Sequence, residues 1–257
     1  MATYHALAIT LRCRRLGEAD RILTLYSRER GPIDAVVKGV GKPKSKLTPV
    51  TQLFSCNRLL LAEGRSLDVV AQVQVVDPYY PLRTDVLKFA HCCYLVELVA
   101  KSTEPGQASP ELFDLLRATL HEQTSASRPE LLVRAFESRV LALLGYAPAT
   151  DACGTCGREL VGETLGYLPS AGQFYCGTCV ASTPGATKLC RGTLQTLRSL
   201  ARMPLDRVSR LALGSQIAAE LRRVLRAHIA YHIGARFRSL DFLHQLQQNT
   251  IGMAPGA

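Results

Sequence analysis

Four of the nine cysteines fall in two identical blocks, Cys153-Gly154-Thr155-Cys156 and Cys176-Gly177-Thr178-Cys179, with 19 residues between them. A Cys-x-x-Cys turn aims two thiolates at one ion, and an intervening hairpin returns the chain to supply two more. The glycine after each first cysteine permits a tight knuckle around the sulfurs. Four thiolates form a closed tetrahedral set with no open position for water, which is the chemistry of a structural zinc site rather than a catalytic one. The sequence therefore predicts Zn²⁺ on Cys153, Cys156, Cys176 and Cys179. Two separate redox Cys-x-x-Cys sites are the competing reading, and duplication at this spacing argues against it. Cys190 lies outside the pattern and reads as an unbound thiol. Cys92 and Cys93 sit in an apolar run and read as core. An odd count, low for 257 residues, argues against a disulfide framework.

A second chemistry is cationic. Lys38, Lys42, Lys44 and Lys46 occupy nine residues together with Gly39, Gly41 and Pro43, the composition of an exposed loop able to follow a phosphate backbone. The loop is not a nucleotide-binding P-loop. Val36 stands where the first glycine is needed, and Pro43 where Ser or Thr would ligate Mg²⁺. Arg12, Arg14 and Arg21 flank it, and alternation projects Arg12 and Arg14 on one strand face. Of the nearby aromatics Tyr26, Phe54, Tyr79 and Tyr80, one could stack a base, while most read as core or junction residues. A possible second phosphate-binding strip is Arg191, Arg198, Arg222, Arg223 and Arg226, whose alternative is a solvated outer face. His228 and His232 lie one helical turn apart without an acidic or cysteine partner in register, so they read as core or surface histidines. No HExxH, GxSxG, Walker A or clustered-carboxylate pattern is present, and the expectation is a protein that is not an enzyme.

These groups need elements to hold them. Residues 1–76 read as five short strands: Ala6 to Leu11, Arg21 to Ser27, Ile33 to Lys38, Leu53 to Leu61 and Leu67 to Val76. Turn signals separate them, and the last alternates apolar with polar residues. Five such strands fit a small closed barrel of the OB-fold type, with an SH3-like barrel as the alternative. After Pro81 the period becomes helical. One helix is predicted from Leu82 to Val99, a second from Pro110 to about Gln123 and a third from Pro129 to Gly145. Beyond the cysteine module a helix is predicted over Leu189 to Ala201 and a longer one over Ser215 to Ile233. The expected fold class is α+β. The divisions are a barrel domain at 1–80, a helical domain at 81–152 and 181–248 with the zinc module 153–180 inserted in it, and a disordered tail at 249–257.

Charge narrows the partners. The chain carries 31 Lys and Arg against 21 Asp and Glu, a net of +10. Residues 1–80 hold +5, 81–152 hold −2, 153–189 are balanced, and 190–257 hold +7, all ten cations there being arginine. Two basic ends around a neutral-to-acidic middle favour a polyanion partner. An apolar fraction of 47% and a charged fraction of 20% exclude a mainly disordered chain. With no 18-residue apolar run and no signal-peptide pattern, the expectation is a cytoplasmic protein without a membrane partner.

Several blocks in order resemble the bacterial recombination mediator family RecO. They are Gly17-Glu18-Ala19-Asp20-Arg21-Ile22-Leu23-Thr24-Leu25, the Gly31 to Lys46 segment, Leu82-Arg83-Thr84-Asp85, Leu112 to Leu116, Phe136-Glu137-Ser138-Arg139, Leu143-Leu144-Gly145-Tyr146-Ala147-Pro148, the four cysteines, and Arg238 to Leu243. Together they span nearly the whole chain. Lys42 stands where many relatives carry Arg, which keeps phosphate contact but loses bidentate geometry. The resemblance implies DNA repair and recombination by a protein with an N-terminal OB-fold, a helical region and a zinc module. It implies binding of single- and double-stranded DNA and ATP-independent annealing of complementary strands. It also implies work at the nucleoid with RecR in loading RecA onto DNA coated by single-strand binding protein (SSB), and contact with the acidic SSB C-terminal tail. No nucleotide cofactor is implied.

Other readings fit part of the pattern. A zinc-module RNA-binding protein suits charge and barrel equally, and competition between single-stranded DNA and RNA separates the two. NAD-dependent deacylases also carry two Cys-x-x-Cys pairs, but they need a glycine-rich βα start that residues 1–76 lack. A scaffold for an acidic protein tail is compatible with DNA binding.

Overall fold

Alternation along the first 77 residues becomes a barrel in the computed structural model, which describes residues 2–42 and 45–252. The strands are β1 (Thr3–Leu16), β2 (Asp20–Ser27), β3 (Gly31–Val37), β4 (Cys56–Ala62) and β5 (Asp68–Asp77). Their closed order is β1-β2-β3-β5-β4, with β4 returning to β1. All neighbours are antiparallel except β3 and β5, which pair in parallel through Ala35–Asp68 and Val36–Val69. This is OB-fold connectivity and not an SH3-like one. Ala6, Ala8, Leu23, Leu25, Ala35, Val37, Leu59 and Leu61 point inward and fill the centre.

The strand predicted from Leu53 starts three residues later, at Cys56. A 3-10 turn at Thr48–Thr51 leads into residues tied sideways to β1. The Phe54 N–H donates to Thr10 O at 2.9 Å, and Thr10 Oγ donates to Val50 O at 2.8 Å. Phe54 takes a left-handed backbone, φ 71°, and its fully buried ring meets Phe89 edge-on at 5.5 Å. Burial of the ring outweighs the cost of a conformation that favours glycine.

The helix predicted from Leu82 is two helices, α1 (Pro81–Thr84) and α2 (Val86–Ser102). Asp85 between them is extended, and its carboxylate accepts from the N–H groups of Leu87 and Lys88 at 2.9 and 3.0 Å. It thereby satisfies two orphan donors of α2. Then α3 (Pro110–Ser125) begins with Ser109 accepting from Leu112 N at 3.2 Å.

The chain forms two compact units, one running to Ser125 and resuming at Phe237, the other spanning Ala126–Arg236. The boundary therefore falls inside the helical segment 81–152. The second unit contains α4 (Pro129–Leu143), β6 (Thr164–Leu168), β7 (Gln173–Tyr175), α5 (Gly177–Val180), β8 (Thr187–Cys190), α6 (Arg191–Arg202), α7 (Leu205–Val208) and α8 (Ser215–Ile233). Its three strands form one antiparallel sheet ordered β7-β6-β8. The helix predicted from Leu189 starts at Arg191, because Leu189 and Cys190 pair with Leu165 and Thr164 of β6. Arg139 of α4 donates to Leu200 O at 3.1 and 3.2 Å and also to Met203 O, closing the C-terminal end of α6. The α8 helix ends at Gly234, φ 66°, a left-handed cap.

In the first unit, α9 (Arg238–Gly252) packs on α2. The Glu97 carboxylate accepts from the N–H groups of Arg238 and Ser239 at 3.1 and 2.9 Å and from the Ser239 hydroxyl at 2.6 Å, capping α9 from another helix. Residues 249–252, expected to begin a disordered tail, continue α9 instead, and 253–257 lie outside the described residues. Among the described residues no helix is long and apolar enough to cross a membrane.

Candidate metal centre and nucleic-acid interface

The first cysteine pair sits on a turn closed by its own backbone. Cys153 N donates to Arg158 O at 2.9 Å and Gly157 N to Cys153 O at 2.9 Å. Gly154 N donates to Phe174 O of β7 at 2.8 Å, tying this turn to the strand that leads to the second pair. A Cβ at Gly154 would lie 3.1 Å from Gln173 Cβ, so the two knuckles approach closely there. Cys176 caps α5, which carries Cys179.

The four Sγ atoms lie within 4.8 Å of one another, and Cys156 Sγ is 3.9 Å from Cys176 Sγ. A tetrahedron of sulfurs at about 2.3 Å from one ion has edges of about 3.8 Å. Cys153 and Cys176 are buried, and Cys156 and Cys179 are half-buried. Burial pushes the Cys153 thiol upward. Donation to its sulfur from the N–H groups of Cys156, Cys176 and Thr155 outweighs that and brings it down to about 6. The backbone N–H and guanidinium of Arg158 lower Cys156. Hydrogen bonding to Cys176, with burial and the other two sulfurs, pushes Cys179 up to about 12. Packed thiols of opposite tendency cannot all release protons together unless a cation replaces them. The donor set thus fits a bound metal ion.

Tyr167 of β6 and His228 of α8 hold the sheet to the helices. The Tyr167 hydroxyl lies 2.5 Å from His228 Nδ1, and His228 Nε2 lies 2.6 Å from Tyr146 O. A carbonyl can only accept, so Nε2 carries the proton and Nδ1 accepts from the tyrosine. Burial lowers the His228 pKa, aided by His232 and opposed by the Tyr146 carbonyl. His232 Nε2 meets Pro169 O at 3.2 Å. Both histidines serve packing within the helical unit, apart from the four thiolates.

The barrel gathers cations at one end. Arg15 pairs with Arg21, Arg14 with Ile22, and Arg21 with Val37, so Lys38 directly follows that row. With strands about 4.8 Å apart, Arg15, Arg21 and Val37, the residue before Lys38, lie side by side on three neighbouring strands, and Arg14 projects from the opposite face of β1. The lysine loop is anchored there by the Glu18-Ala19-Asp20-Arg21 turn. Gly39 N donates to Asp20 Oδ1 at 2.8 Å and Gly41 N to Ala19 O at 2.9 Å. A Cβ on Gly41 would come within 3.2 Å of Ala19 Cα and Glu18 O. Val40 is buried in the barrel core, while Lys38, Lys42 and Lys46 are exposed. Asp20, Lys38, Gly39, Lys42 and Ser45 line an open depression of about 520 Å³. Lys44 lies outside the described residues.

Arg21 donates to Asp20 O at 2.8 Å and to Glu18 O at 3.3 Å, which stiffens the same turn. Arg12 is exposed but lines a different groove, with Glu97, Lys101 and Arg238. Tyr26, Phe54 and Tyr79 are buried, and Tyr80 is exposed. Arg191 and Arg198 lie on α6 and are exposed. Arg222, Arg223 and Arg226 lie on α8, where only Arg223 is fully exposed. Arg198 bonds to Thr150 O, and Arg223 donates to Lys188 O at 2.8 Å. Sequence reading missed the roles of Asp20, Gly41 and Arg158. Two signals were available: the Glu-Ala-Asp-Arg turn ahead of the lysines, and an arginine two residues after a metal-ligating cysteine.

An OB barrel with a basic end, followed by a helical region that carries a four-cysteine cluster able to hold a metal ion, defines the class of this chain. The particular family follows from comparison with known sequences. The family described as "Recombination protein O N terminal" matches residues 1–79, and "Recombination protein O C terminal" matches residues 83–241. A DNA repair protein RecO from Pelotomaculum thermopropionicum is 38% identical over 98% of both chains. One from Symbiobacterium thermophilum is 36% identical over 96% of this chain and 99% of its own. One from Moorella thermoacetica is 35% identical over 96% of this chain and 93% of its own. The chain belongs to the RecO family of DNA repair proteins.

Proposed function

We propose that the chain is a DNA repair and recombination mediator that binds single- and double-stranded DNA and anneals complementary strands without ATP. In this reading it works in the cytoplasm at the nucleoid, with RecR and the SSB C-terminal tail as protein partners, and helps load RecA onto SSB-coated DNA. The observation that carries it is the barrel end, where Arg21 of β2 pairs with Arg15 of β1 and with Val37, the residue before Lys38, beside an anchored lysine loop. Phosphate contact falls to Arg12, Arg14, Arg21, Lys38, Lys42, Lys44 and Lys46, and a second strip to Arg191, Arg198, Arg222, Arg223 and Arg226. Annealing requires two polyanions to approach while their repulsion is screened. Fixed cations that contact phosphate and leave base edges free suit that step, because the bases must find each other. A chain that works this way makes and breaks no covalent bond.

The metal in this reading is Zn²⁺, and bound to four thiolates it supplies a structural cross-link. Cys153 and Cys156 fix one turn, Cys176 and Cys179 the start of α5, and Arg158 offsets the negative charge of the sulfurs. Annealing of SSB-coated complementary oligonucleotides without ATP tests the function. Duplex formation faster than in the protein-free control supports it, and no acceleration overturns it. Preference for RNA in competition binding would favour an RNA-processing role instead.

A further inference from the structure

The helical unit leaves two tyrosine rings largely exposed. Tyr146 is 44% exposed and Tyr231 59% exposed, and His232 lies between them. Ring centroids are 5.1 Å apart for Tyr146 and His232, inclined by 30°, and 5.0 Å apart for Tyr231 and His232. The array is rigid. Gly145, φ 81°, turns the chain out of α4. Tyr146 N then donates to Leu141 O at 2.7 Å, and Tyr146 O accepts from His228. His232 is held to Pro169 O. Directly after Tyr146, the segment 147–150 runs beside α6. There Ala147, Pro148 and Thr150 share a depression of about 130 Å³ with Arg198 and Arg202, the only charged residues lining it. The Arg198 guanidinium is fixed on Thr150 O. Thr150 follows Tyr146 by four residues, so its carbonyl and the Arg198 guanidinium on it lie within about 14 Å of Tyr146 along the chain.

We infer that Tyr231 and Tyr146, braced by His232, form a stacking platform for the bases of single-stranded nucleic acid, whose backbone Arg198 and Arg202 receive. Flat ring faces accept any base, and adjacent cations take the phosphates, the combination used for sequence-tolerant single-strand binding. Charge selects this occupant over an apolar protein surface. Residues 126–236 hold 14 basic against seven acidic residues, a net of +7. A duplex keeps its bases stacked on each other and offers the rings no free face, so the strip discriminates single from double strands. The inference rests on the proposed DNA binding and adds a base-dependent component to it.

The chain contains no tryptophan, so Tyr231→Trp introduces a single fluorescent reporter that retains the ring. Oligo(dT) binding is expected to quench it strongly, and an abasic oligomer of equal length is expected to bind without quenching. Tyr231→Ala is expected to weaken oligo(dT) binding roughly tenfold, while binding to abasic DNA, binding to duplex and the salt slope stay unchanged. Tyr231→Phe keeps wild-type affinity. The platform is overturned if anisotropy shows oligo(dT) bound while the reporter is unquenched. It is equally overturned if Tyr231→Ala leaves oligo(dT) affinity intact or weakens abasic and normal strands alike. Wild-type protein that binds no oligonucleotide at low salt removes the DNA-binding reading itself, and the platform with it.

Discussion

The barrel end and the cysteine module position their functional groups by opposite means. In the barrel, registers of seven or eight residue pairs join β1 to β2, β2 to β3 and β1 to β4, and the cations ride on that ladder. Changing an exposed loop lysine there leaves the ladder intact. The module sheet has strands of five, three and four residues, too short to be stable alone. Its order depends on side-chain chemistry, the four sulfurs and the Tyr167–His228 contact. Function is therefore separable from stability in the barrel and inseparable from it in the module.

The sharpest way to break this contrast is Cys176→Ser. Metal coordination stabilises small zinc modules by about 10 kcal/mol or more, so this variant carries the largest expected effect. Metal content should fall below stoichiometric, and amide protection should be lost at Leu165, Tyr167 and Phe174. Protection at Ile9, Leu25 and Leu59 of the barrel should persist. A variant that keeps full metal and full protection has the wrong ligand assigned.

The metal centre and the barrel were legible in sequence because both are written locally. A ligand pair three residues apart and an apolar alternation of period two need no knowledge of distant chain. The fold class followed, and α8 was expected over Ser215 to about Ile233, where it lies. What escaped was non-local. Asp20 anchors Gly39 across two strands, Glu97 caps a helix 141 residues later, and Arg139 closes α6. Each side chain alone reads as ordinary surface charge. The shift of the fourth strand from Leu53 to Cys56 has the same origin, since Phe54 is bent by a tertiary pocket. Charge counting correctly located the basic ends, but it could not tell that Arg198 and Arg223 spend hydrogen bonds on backbone carbonyls.

A middle-sized effect sharpens the barrel half of the comparison. Replacing Lys42, Lys44 and Lys46 together by Ala should leave thermal stability unchanged, because Lys42 and Lys46 are exposed on an anchored loop. DNA affinity should fall by a similar factor for all sequences. The slope of log K against log salt should flatten by up to about 0.9 per lost phosphate contact on duplex, or nearly three in total. An unchanged slope places the phosphate contacts elsewhere, and a lowered melting temperature would show that function and stability are coupled in the barrel as well.

The smallest effect tests the module half through pH. His228 is neutral in the folded state, and burial sets its pKa below the ordinary value. The unfolded chain takes up that proton from about pH 6.5 downward, while the folded protein resists it. The stabilisation is therefore complete above about pH 6.5 and is lost as pH falls toward the folded value, with a slope no steeper than about 1.4 kcal/mol per pH unit. Thiolate protonation destabilises the module in the same direction, so the quantity to measure is the difference between wild type and His228→Gln across about pH 5 to 7. Gln can still bond to the Tyr146 carbonyl but does not titrate. It should be less stable at pH 7.5, and its deficit should shrink as pH falls. A deficit constant with pH would mean that His228 acts only through its shape and hydrogen bonds, and that the acid sensitivity of the module comes from other groups such as the thiolates and the Glu220 carboxylate.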